Sequence, residues 1–203
     1  MERRLLSSDL CFRMQYPSRR VNSLYFDSPD LISYRDSIEG GSGRIKKRLR
    51  WYGNLNLQTE ATLEFKIKHN NQSWKKLWVK AFQINPQQNS WNKFYKSYPN
   101  AFPLDEILNK YYPTSIVSYD RNYLISFDNK IRVTIDQNLK FYSQRVSSKP
   151  NITWSNPTKS LVVLEVKTDL SNESSLQKFF KEIPFCPSRF SKYCESIKSQ
   201  VSI

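Results

Sequence analysis

Basic residues occupy every second position of one short apolar segment. In the segment Arg44–Trp51, positions 44, 46, 48 and 50 are all cationic, and the residues between them are Ile45, Lys47, Leu49 and Trp51. Successive side chains of a β-strand point to opposite faces, so one face of this strand would carry four positive charges. Arginine has a planar fork of N–H donors that matches the oxygens of a phosphate. The spacing therefore predicts a surface for a dense anion, and phosphate chains with a bound metal are the ligand class that it suits.

The same alternation of polar and apolar residues recurs on further strand-like segments. The polar positions are Glu64, Lys66 and Lys68; Tyr119, Arg121 and Tyr123; Arg132, Thr134 and Asp136; and Glu165 and Lys167. Alternating charge on one strand is typical of the solvated face of a half-buried sheet. Like charges in register repel each other and gain nothing from packing, so their recurrence favours convergence on one anion site. That site would hold four arginines on one face: Arg48, Arg50, Arg121 and Arg132.

Length and composition predict one domain over residues 1–203 with an anionic partner or substrate. The chain has 203 residues and a formal net charge of +14, and the charge is spread along the chain rather than confined to a basic tail. The three cysteines fit no metal-binding spacing, which with the lack of a leader-like start predicts a cytoplasmic protein. The sequence contains no run of about 18 apolar residues, so no transmembrane helix is predicted.

Periodicity and turn residues predict an α+β fold. Predicted helices cover residues 2–15, a short segment from an N-cap at Ser28 to Gly40-Gly41, the stretch 88–112, a segment from Ser171 to about 182, and a last one capped by Ser188. Predicted strands lie near residues 21–26, 44–52, 60–68, 75–84, 115–126, 130–136, 139–146 and 159–168. Many antiparallel strands with few helices favour an antiparallel β-barrel or tunnel. Its interior would be charged, and its apolar faces would pack outward on the flanking helices.

Seven short motifs in a fixed order cover most of the chain, from about residue 17 to residue 197. They are Val21–Asp30, Arg48–Gly53, Glu64–Lys66, Ser118–Arg121, Ile131–Asp136, Leu164–Lys167 and Ser191–Tyr193. Together they resemble the vacuolar transporter chaperone (VTC) domain, a family of the triphosphate tunnel metalloenzymes in the CYTH-like superfamily. The resemblance implies an antiparallel β-tunnel. It also implies a polyphosphate polymerase that moves the terminal phosphate of ATP onto a polyphosphate chain with Mn²⁺ or Mg²⁺.

The resemblance also implies which residues hold the substrate. Residues that match its phosphate-holding positions form two groups: Arg48, Arg50 and Lys66, and then Tyr119, Arg121 and Arg132. A family lysine that follows the first group after a loop matches both Lys75 and Lys76, and the choice stays open. Ser191 and Lys192 match a hydroxyl and an ammonium that the family's last helix brings to the tunnel mouth. Phosphoryl transfer needs positioning and charge neutralisation more than covalent help, which suits these residue types.

The metal is expected on the carboxylates of the charged face. Glu165 matches the family's metal ligand, and hard divalent cations prefer such oxygens. Glu64 is a second candidate ligand that could equally be an ion-pair partner of the neighbouring cations. Lys167 is a further substrate-binding candidate on the strand of Glu165.

Other functions remain as alternatives to the polymerase. A triphosphatase of the same fold, acting on inorganic triphosphate or a nucleotide, would use the same residue types. A non-catalytic polyanion-binding module is the third reading, but Trp51 and Phe65 fall on the face opposite the charges, which disfavours nucleic acid as the partner. Family members open with a charged strand that supplies one phosphate-binding lysine, whereas this sequence begins within the helix that follows it. That departure predicts slow turnover or none.

Overall fold

The structure is a computed structural model, and it describes residues 2–41, 43–55, 59–69, 72–84, 90–97, 111–156, 158, 160–183 and 186–201. The chain forms two compact units. The first unit comprises Met1–Arg20, Tyr119–Leu139 and Ser160–Phe190, and the second comprises Val21–Ser118, Lys140–Lys159 and Ser191–Ile203. The single domain expected over residues 1–203 stays a prediction.

The fold class is α+β, as predicted from the sequence. Its strands are β1 (Arg13–Asp27), β2 (Gly43–Tyr52), β3 (Thr59–His69), β4 (Gln72–Ile84), β5 (Tyr112–Ile125), β6 (Ile131–Ser143) and β7 (Val163–Thr168). Its helices are α1 (Glu2–Leu6), α2 (Ile32–Glu39), α3 (Trp91–Ser97), α4 (Glu173–Glu182) and α5 (Lys192–Val201), with a 3₁₀ turn at Leu170–Asn172. The strand order is β4-β3-β2-β1-β5-β6-β7, and the β1–β2, β2–β3, β3–β4 and β6–β7 pairs are antiparallel.

The apolar faces of the strands are buried, which leaves the charged faces on the other side. In the second unit, a buried cluster combines side chains of β1, β2 and β3 with Trp91 and Phe94 of α3. In the first unit, Ile131, Val133 and Ile135 of β6 lie in a cluster with α1 and α4 side chains. Since side chains alternate along a strand, these clusters fix Arg48 and Arg50 in the second unit, and Arg121 and Arg132 in the first, on the opposite faces of their strands.

Two predicted boundaries are wrong at the start of the chain. The helix expected over residues 2–15 ends at Leu6, and β1 begins at Arg13. Pro17 disfavours a helical conformation at the residue before it, and the strand continues through it to Asp27. Leu31, rather than Ser28, is the N-cap residue of α2. Ser28 Oγ still accepts a 3.1 Å hydrogen bond from the Ile32 N–H.

Later in the chain, two predictions differ from the structure and one falls partly outside it. The strands expected at residues 130–136 and 139–146 form one strand, β6, in which Asn138 adopts a left-handed backbone with φ of 54°. Asparagine tolerates this conformation better than most residues. The last helix begins at Lys192, after Ser191 rather than Ser188. Of the helical stretch expected over residues 88–112, Trp91–Ser97 is helical, and Tyr112 is instead the first residue of β5. Residues 88–89 and 98–110 lie outside the described residues.

Within the described part of the chain, none of the helices has both the length and the apolar character needed to cross a membrane. The three cysteines are free thiols, with Cys11 and Cys186 exposed and Cys194 buried.

Candidate functional site

Two arginines of β2 converge on one carboxylate of β3 in the second unit. Arg48 lies opposite Glu64 in the antiparallel register, and its Nε and Nη2 approach Glu64 Oε2 at 2.8 and 2.7 Å. Arg50 Nη1 is 3.6 Å from Glu64 Oε1. The Glu64 side chain is only 6% exposed, so this carboxylate is shielded from water and surrounded by positive charge. Glu64 therefore serves here as the counter-ion that lets two guanidinium groups lie side by side.

Tyr25 of β1 extends the same cluster. Its hydroxyl accepts a 3.2 Å hydrogen bond from Arg48 Nη1, and Tyr25 is the register partner of Arg48. Burial alone would raise the pKa of the Tyr25 phenol. The charge and hydrogen bond of Arg48, together with the charges of Arg50 and Lys192, outweigh burial and lower the pKa of Tyr25 below its ordinary value.

The start of α5 brings a hydroxyl to this cluster. Ser191 Oγ accepts a 2.8 Å hydrogen bond from Lys46 Nζ and a 3.3 Å hydrogen bond from the Cys194 N–H, so it also caps the helix. Burial lowers the pKa of Lys46, and the nearby charges of Lys66 and Arg44 lower it further. The structure thus joins Ser191 to the basic cluster of the second unit through Lys46.

One buried carboxylate fixes the position of α5. Asp27 Oδ2 accepts a 2.5 Å hydrogen bond from the Tyr193 hydroxyl, and its two oxygens also accept hydrogen bonds from the backbone N–H groups of Ser28, Ser33 and Tyr34. The Tyr193 ring stacks on the Tyr25 ring, with centroids 5.1 Å apart. The helix that carries Lys192 is therefore held both by a charged hydrogen bond and by an aromatic contact.

The strand register separates the two lysines that the sequence left undecided. Lys66 pairs with Lys46 on one side and with Lys75 on the other, whereas Lys76 pairs with Phe65. Residues directly opposite each other in an antiparallel pair belong to the same face. The register position therefore favours Lys75, next to the exposed Lys66, as the lysine of the charged face.

Several buried polar atoms of the second unit have no hydrogen-bond partner within the described part of the chain. They include Arg50 Nε and the hydroxyl of Ser23, which is the register partner of Arg50. The Ser115 hydroxyl of β5 is likewise buried, and the described residues offer it no hydrogen-bond partner. Buried polar groups in folded proteins are nearly always paired with protein, water or a ligand. The unsatisfied donors around Arg50 therefore suit a polar or anionic ligand.

A second basic and acidic cluster lies in the first unit, on β5, β6 and β7. Arg121 forms a two-point ion pair with the buried Asp136, with Nε–Oδ1 and Nη2–Oδ2 distances of 2.6 and 2.8 Å. Its Nη2 is 3.7 Å from Glu165 Oε2, and Lys167 Nζ is 3.2 Å from the other oxygen of Glu165. The Asp136 hydrogen bonds and charge, together with Tyr119 and Glu165, outweigh burial and raise the pKa of Arg121. The guanidinium is thus held in one orientation and stays charged.

Tyr119 and Arg132 complete the set predicted for the first unit. Tyr119 is 1% exposed, and its ring lies 5.3 Å from the Arg121 guanidinium carbon. Arg132 is exposed and pairs in register with Lys167. The Thr134 hydroxyl, opposite Glu165 in the register, is buried and has no hydrogen-bond partner among the described residues. Buried Tyr119 therefore packs against Arg121, whereas Arg132 and Lys167 are accessible to a ligand.

The two candidate metal ligands differ in their surroundings. Among the residues that the structure describes, no three His, Cys, Asp or Glu side chains come together in one cluster. Glu64 is buried between two arginines, whereas the Glu165 side chain is 41% exposed. Mg²⁺ binds through one or two carboxylates and completes its shell with phosphate oxygens and water, and Mn²⁺ favours the same oxygen ligands. Glu165 fits that requirement better than Glu64 does.

Four residues in or next to the basic cluster of the second unit were not among the predicted site residues. Lys46 lies two residues before Arg48 in the same alternating pattern, so the spacing alone could have identified it as a site residue. Tyr25, Asp27 and Tyr193 lie within the family motifs, but nothing in a single sequence indicates that they meet.

The chain is an α+β protein with arginines on the strand faces opposite its buried clusters. This chain belongs to the VTC domain family, whose family model matches residues 8–201, so the resemblance drawn from its motifs is confirmed. A similar solved structure is that of the putative adenylyl cyclase HpAC1 from Hippeastrum, described as having a dominant triphosphatase activity. The two share 12% sequence identity with a TM-score of 0.43, and the match covers 91% of this chain and 84% of that chain. No curated protein matches this chain.

Proposed function

We propose that this protein is a metal-dependent phosphotransferase that moves the γ-phosphate of ATP onto a polyphosphate chain. In this reaction the bond between the γ-phosphorus and the β,γ-bridging oxygen breaks. A terminal oxygen of the polyphosphate forms the new bond to phosphorus, and ADP leaves. The protein's part is to hold highly charged phosphates in place and to neutralise the charge that moves to the leaving group.

The observation that carries this proposal is the arginine pair of the second unit. Arg48 and Arg50 lie side by side over the single carboxylate of Glu64, so the group has a net positive charge in a largely buried place. Arg50 Nε and Ser23 Oγ have no hydrogen-bond partner among the residues that the structure describes. Phosphate oxygens would satisfy both groups and supply the missing negative charge. Lys46, Ser191 and Lys192 add further donors for the same anion.

The cluster of the first unit supports a role in phosphate and metal binding. Arg121 is oriented by Asp136, while Arg132 and Lys167 remain accessible, so three cations can contact phosphate oxygens there. Glu165 is the residue that would hold Mn²⁺ or Mg²⁺. A divalent ion held there would supply charge neutralisation and would orient the transferred group. Tyr119, packed against Arg121, limits the orientations available to its guanidinium.

Product analysis tests the proposal directly. The purified chain is incubated with ATP and Mn²⁺, and the products are separated on a gel stained for polyphosphate. Long chains support the polymerase. Free phosphate without chains would identify a triphosphatase, and no turnover despite triphosphate binding would identify a polyanion-binding module. The cytoplasmic location expected from the cysteines belongs to the proposal as well, since ATP and polyphosphate would both be met there.

A further inference from the structure

Two tyrosines and one arginine form a compact cluster on β1 and β5 of the first unit. The rings of Tyr16 and Tyr123 meet edge to face, with centroids 5.7 Å apart and an interplanar angle of 86°. The Arg19 guanidinium lies 5.6 Å from the centre of the Tyr16 ring and 5.8 Å from that of Tyr123. Tyr16 is 48% exposed, so a flat ligand has access to its ring.

This cluster continues into the phosphate-binding candidates of the same unit. The Tyr123 ring lies 6.0 Å from the guanidinium of Arg121, which is paired with Asp136 and lies near Glu165. One tyrosine ring therefore separates the exposed Tyr16 from an arginine that the proposed function assigns to phosphate. A nucleoside triphosphate has the same arrangement of parts, with an aromatic base at one end and a chain of phosphates at the other.

We propose that Tyr16, Arg19 and Tyr123 form a platform for the base of a nucleoside triphosphate. The inference rests on the proposed function, because it assigns the base of the ATP whose phosphates the arginines bind. Bases stack on tyrosine rings and on arginine planes, and such stacking accepts any base with a modest preference for the larger ring. The platform would therefore select nucleotides over inorganic phosphate chains as the phosphate donor, and favour purines among them.

The test compares two ligands that share phosphates and differ in the base. Isothermal titration measures the binding of ATP and of inorganic tripolyphosphate to the wild-type chain, Tyr16→Ala and Tyr16→Phe. Phe127→Ala is the matched control, because Phe127 is another exposed aromatic residue of the first unit, 77% exposed. We expect Tyr16→Ala to weaken ATP binding about fivefold to fiftyfold and to change tripolyphosphate binding less than about twofold. Tyr16→Phe keeps the ring and should keep the wild-type affinity, as should Phe127→Ala.

Each other outcome decides against the platform or separates it from the proposed function. If Tyr16→Ala weakens the binding of ATP and of tripolyphosphate equally, or weakens neither, the platform is overturned. The proposed phosphate binding of the wild-type chain is not affected by either result. If the wild-type chain binds neither anion, the proposed function fails. The platform is then judged by saturation-transfer NMR with adenosine. Transfer to the adenine protons that disappears in Tyr16→Ala supports the platform, and absence of transfer in the wild-type chain overturns it.

Discussion

The Tyr193 hydroxyl donates a 2.5 Å hydrogen bond to Asp27 Oδ2, and both residues are buried, with exposures of 2% and 0%. The same carboxylate accepts hydrogen bonds from three backbone N–H groups around the start of α2. Burial, together with the charge of Asp27 and the hydrogen bond to it, raises the pKa of Tyr193. One carboxylate thus joins β1, α2 and α5, and it positions the helix start that brings Ser191 and Lys192 to the arginine pair.

Removal of the hydrogen bond between Tyr193 and Asp27 should lower the stability of the protein. We expect Tyr193→Phe, which keeps the ring stacked on Tyr25, to lower the free energy of unfolding by about 1–3 kcal/mol. Asp27→Asn should lower it by about 2–4 kcal/mol, because the amide nitrogen cannot accept the hydrogen bonds that the carboxylate accepts. Urea unfolding measures both values. Tyr112→Phe is the control, since Tyr112 is 51% exposed. A Tyr193→Phe protein as stable as this control would contradict the anchoring role.

The arginine pair gives a prediction on binding. Arg50→Ala should weaken the binding of tripolyphosphate by about 1–3 kcal/mol, the scale of a charge-assisted hydrogen bond. The fold should survive, because Arg48 still pairs with Glu64 and one repulsion between neighbouring cations is gone. Titration calorimetry with circular dichroism checks both statements. Lys149→Ala, which removes an exposed cation from a loop, should bind like the wild-type chain. Unchanged affinity in a folded Arg50→Ala protein would rule out Arg50 as a phosphate ligand.

The two glutamates should respond differently to the same change. Glu165→Gln keeps the shape of an exposed side chain and removes its charge. We expect it to abolish metal-dependent turnover and to leave metal-free triphosphate binding equal or stronger, since a repulsive carboxylate is gone.

Glu64→Gln should instead destabilise the protein by about 3–5 kcal/mol, because Arg48 and Arg50 would lose their buried counter-ion. Tripolyphosphate should restore much of that stability by replacing the lost negative charge. Thermal unfolding with and without tripolyphosphate, together with metal titrations of turnover, measures these effects. If turnover stays metal-dependent in Glu165→Gln and loses its metal dependence in Glu64→Gln, then Glu64 is the metal ligand and Glu165 is not.

The sequence predicts the charged faces because alternation is a local property of a strand. The two-residue period and the intervening apolar residues were enough to predict the face of the four arginines, Arg48, Arg50, Arg121 and Arg132. The structure places each of them on the strand face opposite a buried cluster. Helix starts were less predictable. Ser188 and Ser191 are both possible caps, and in the structure Ser191 Oγ is the one that accepts a hydrogen bond from the third residue of the helix, Cys194.

Long-range pairings could not be derived from one sequence. Asp27 and Tyr193 are 166 residues apart in the sequence. Nothing in the local sequence around either residue indicates that their side chains form a hydrogen bond. The choice between Lys75 and Lys76 likewise depends on register, because a shift of one residue moves every side chain to the other face. Local spacing alone did not specify that register.

Lys47 gives the last prediction, because it is a buried cation on the apolar side of β2. It is 4% exposed, its Nζ lies over the Tyr111 ring, and burial lowers its pKa to about 8 although the Asp27 charge opposes the shift. The unfolded chain, with an ordinary lysine, holds this proton up to about pH 10.4. Between about pH 8 and that value the unfolded state binds more protons than the folded state, so stability rises with pH.

Urea unfolding should therefore show that Lys47 raises the stability by about 1–2 kcal/mol between about pH 8 and pH 9.5. Buried Lys46, whose pKa is also lowered, contributes a slope of the same sign, so the difference between variants isolates Lys47. Lys47→Met keeps the length of the apolar chain and removes the charge. It should be more stable than the wild-type chain at pH 7 and should lose most of the pH slope. A slope in Lys47→Met as steep as in the wild-type chain would show that the proton taken up on unfolding belongs to another group, because no titratable group remains at position 47 to bind it.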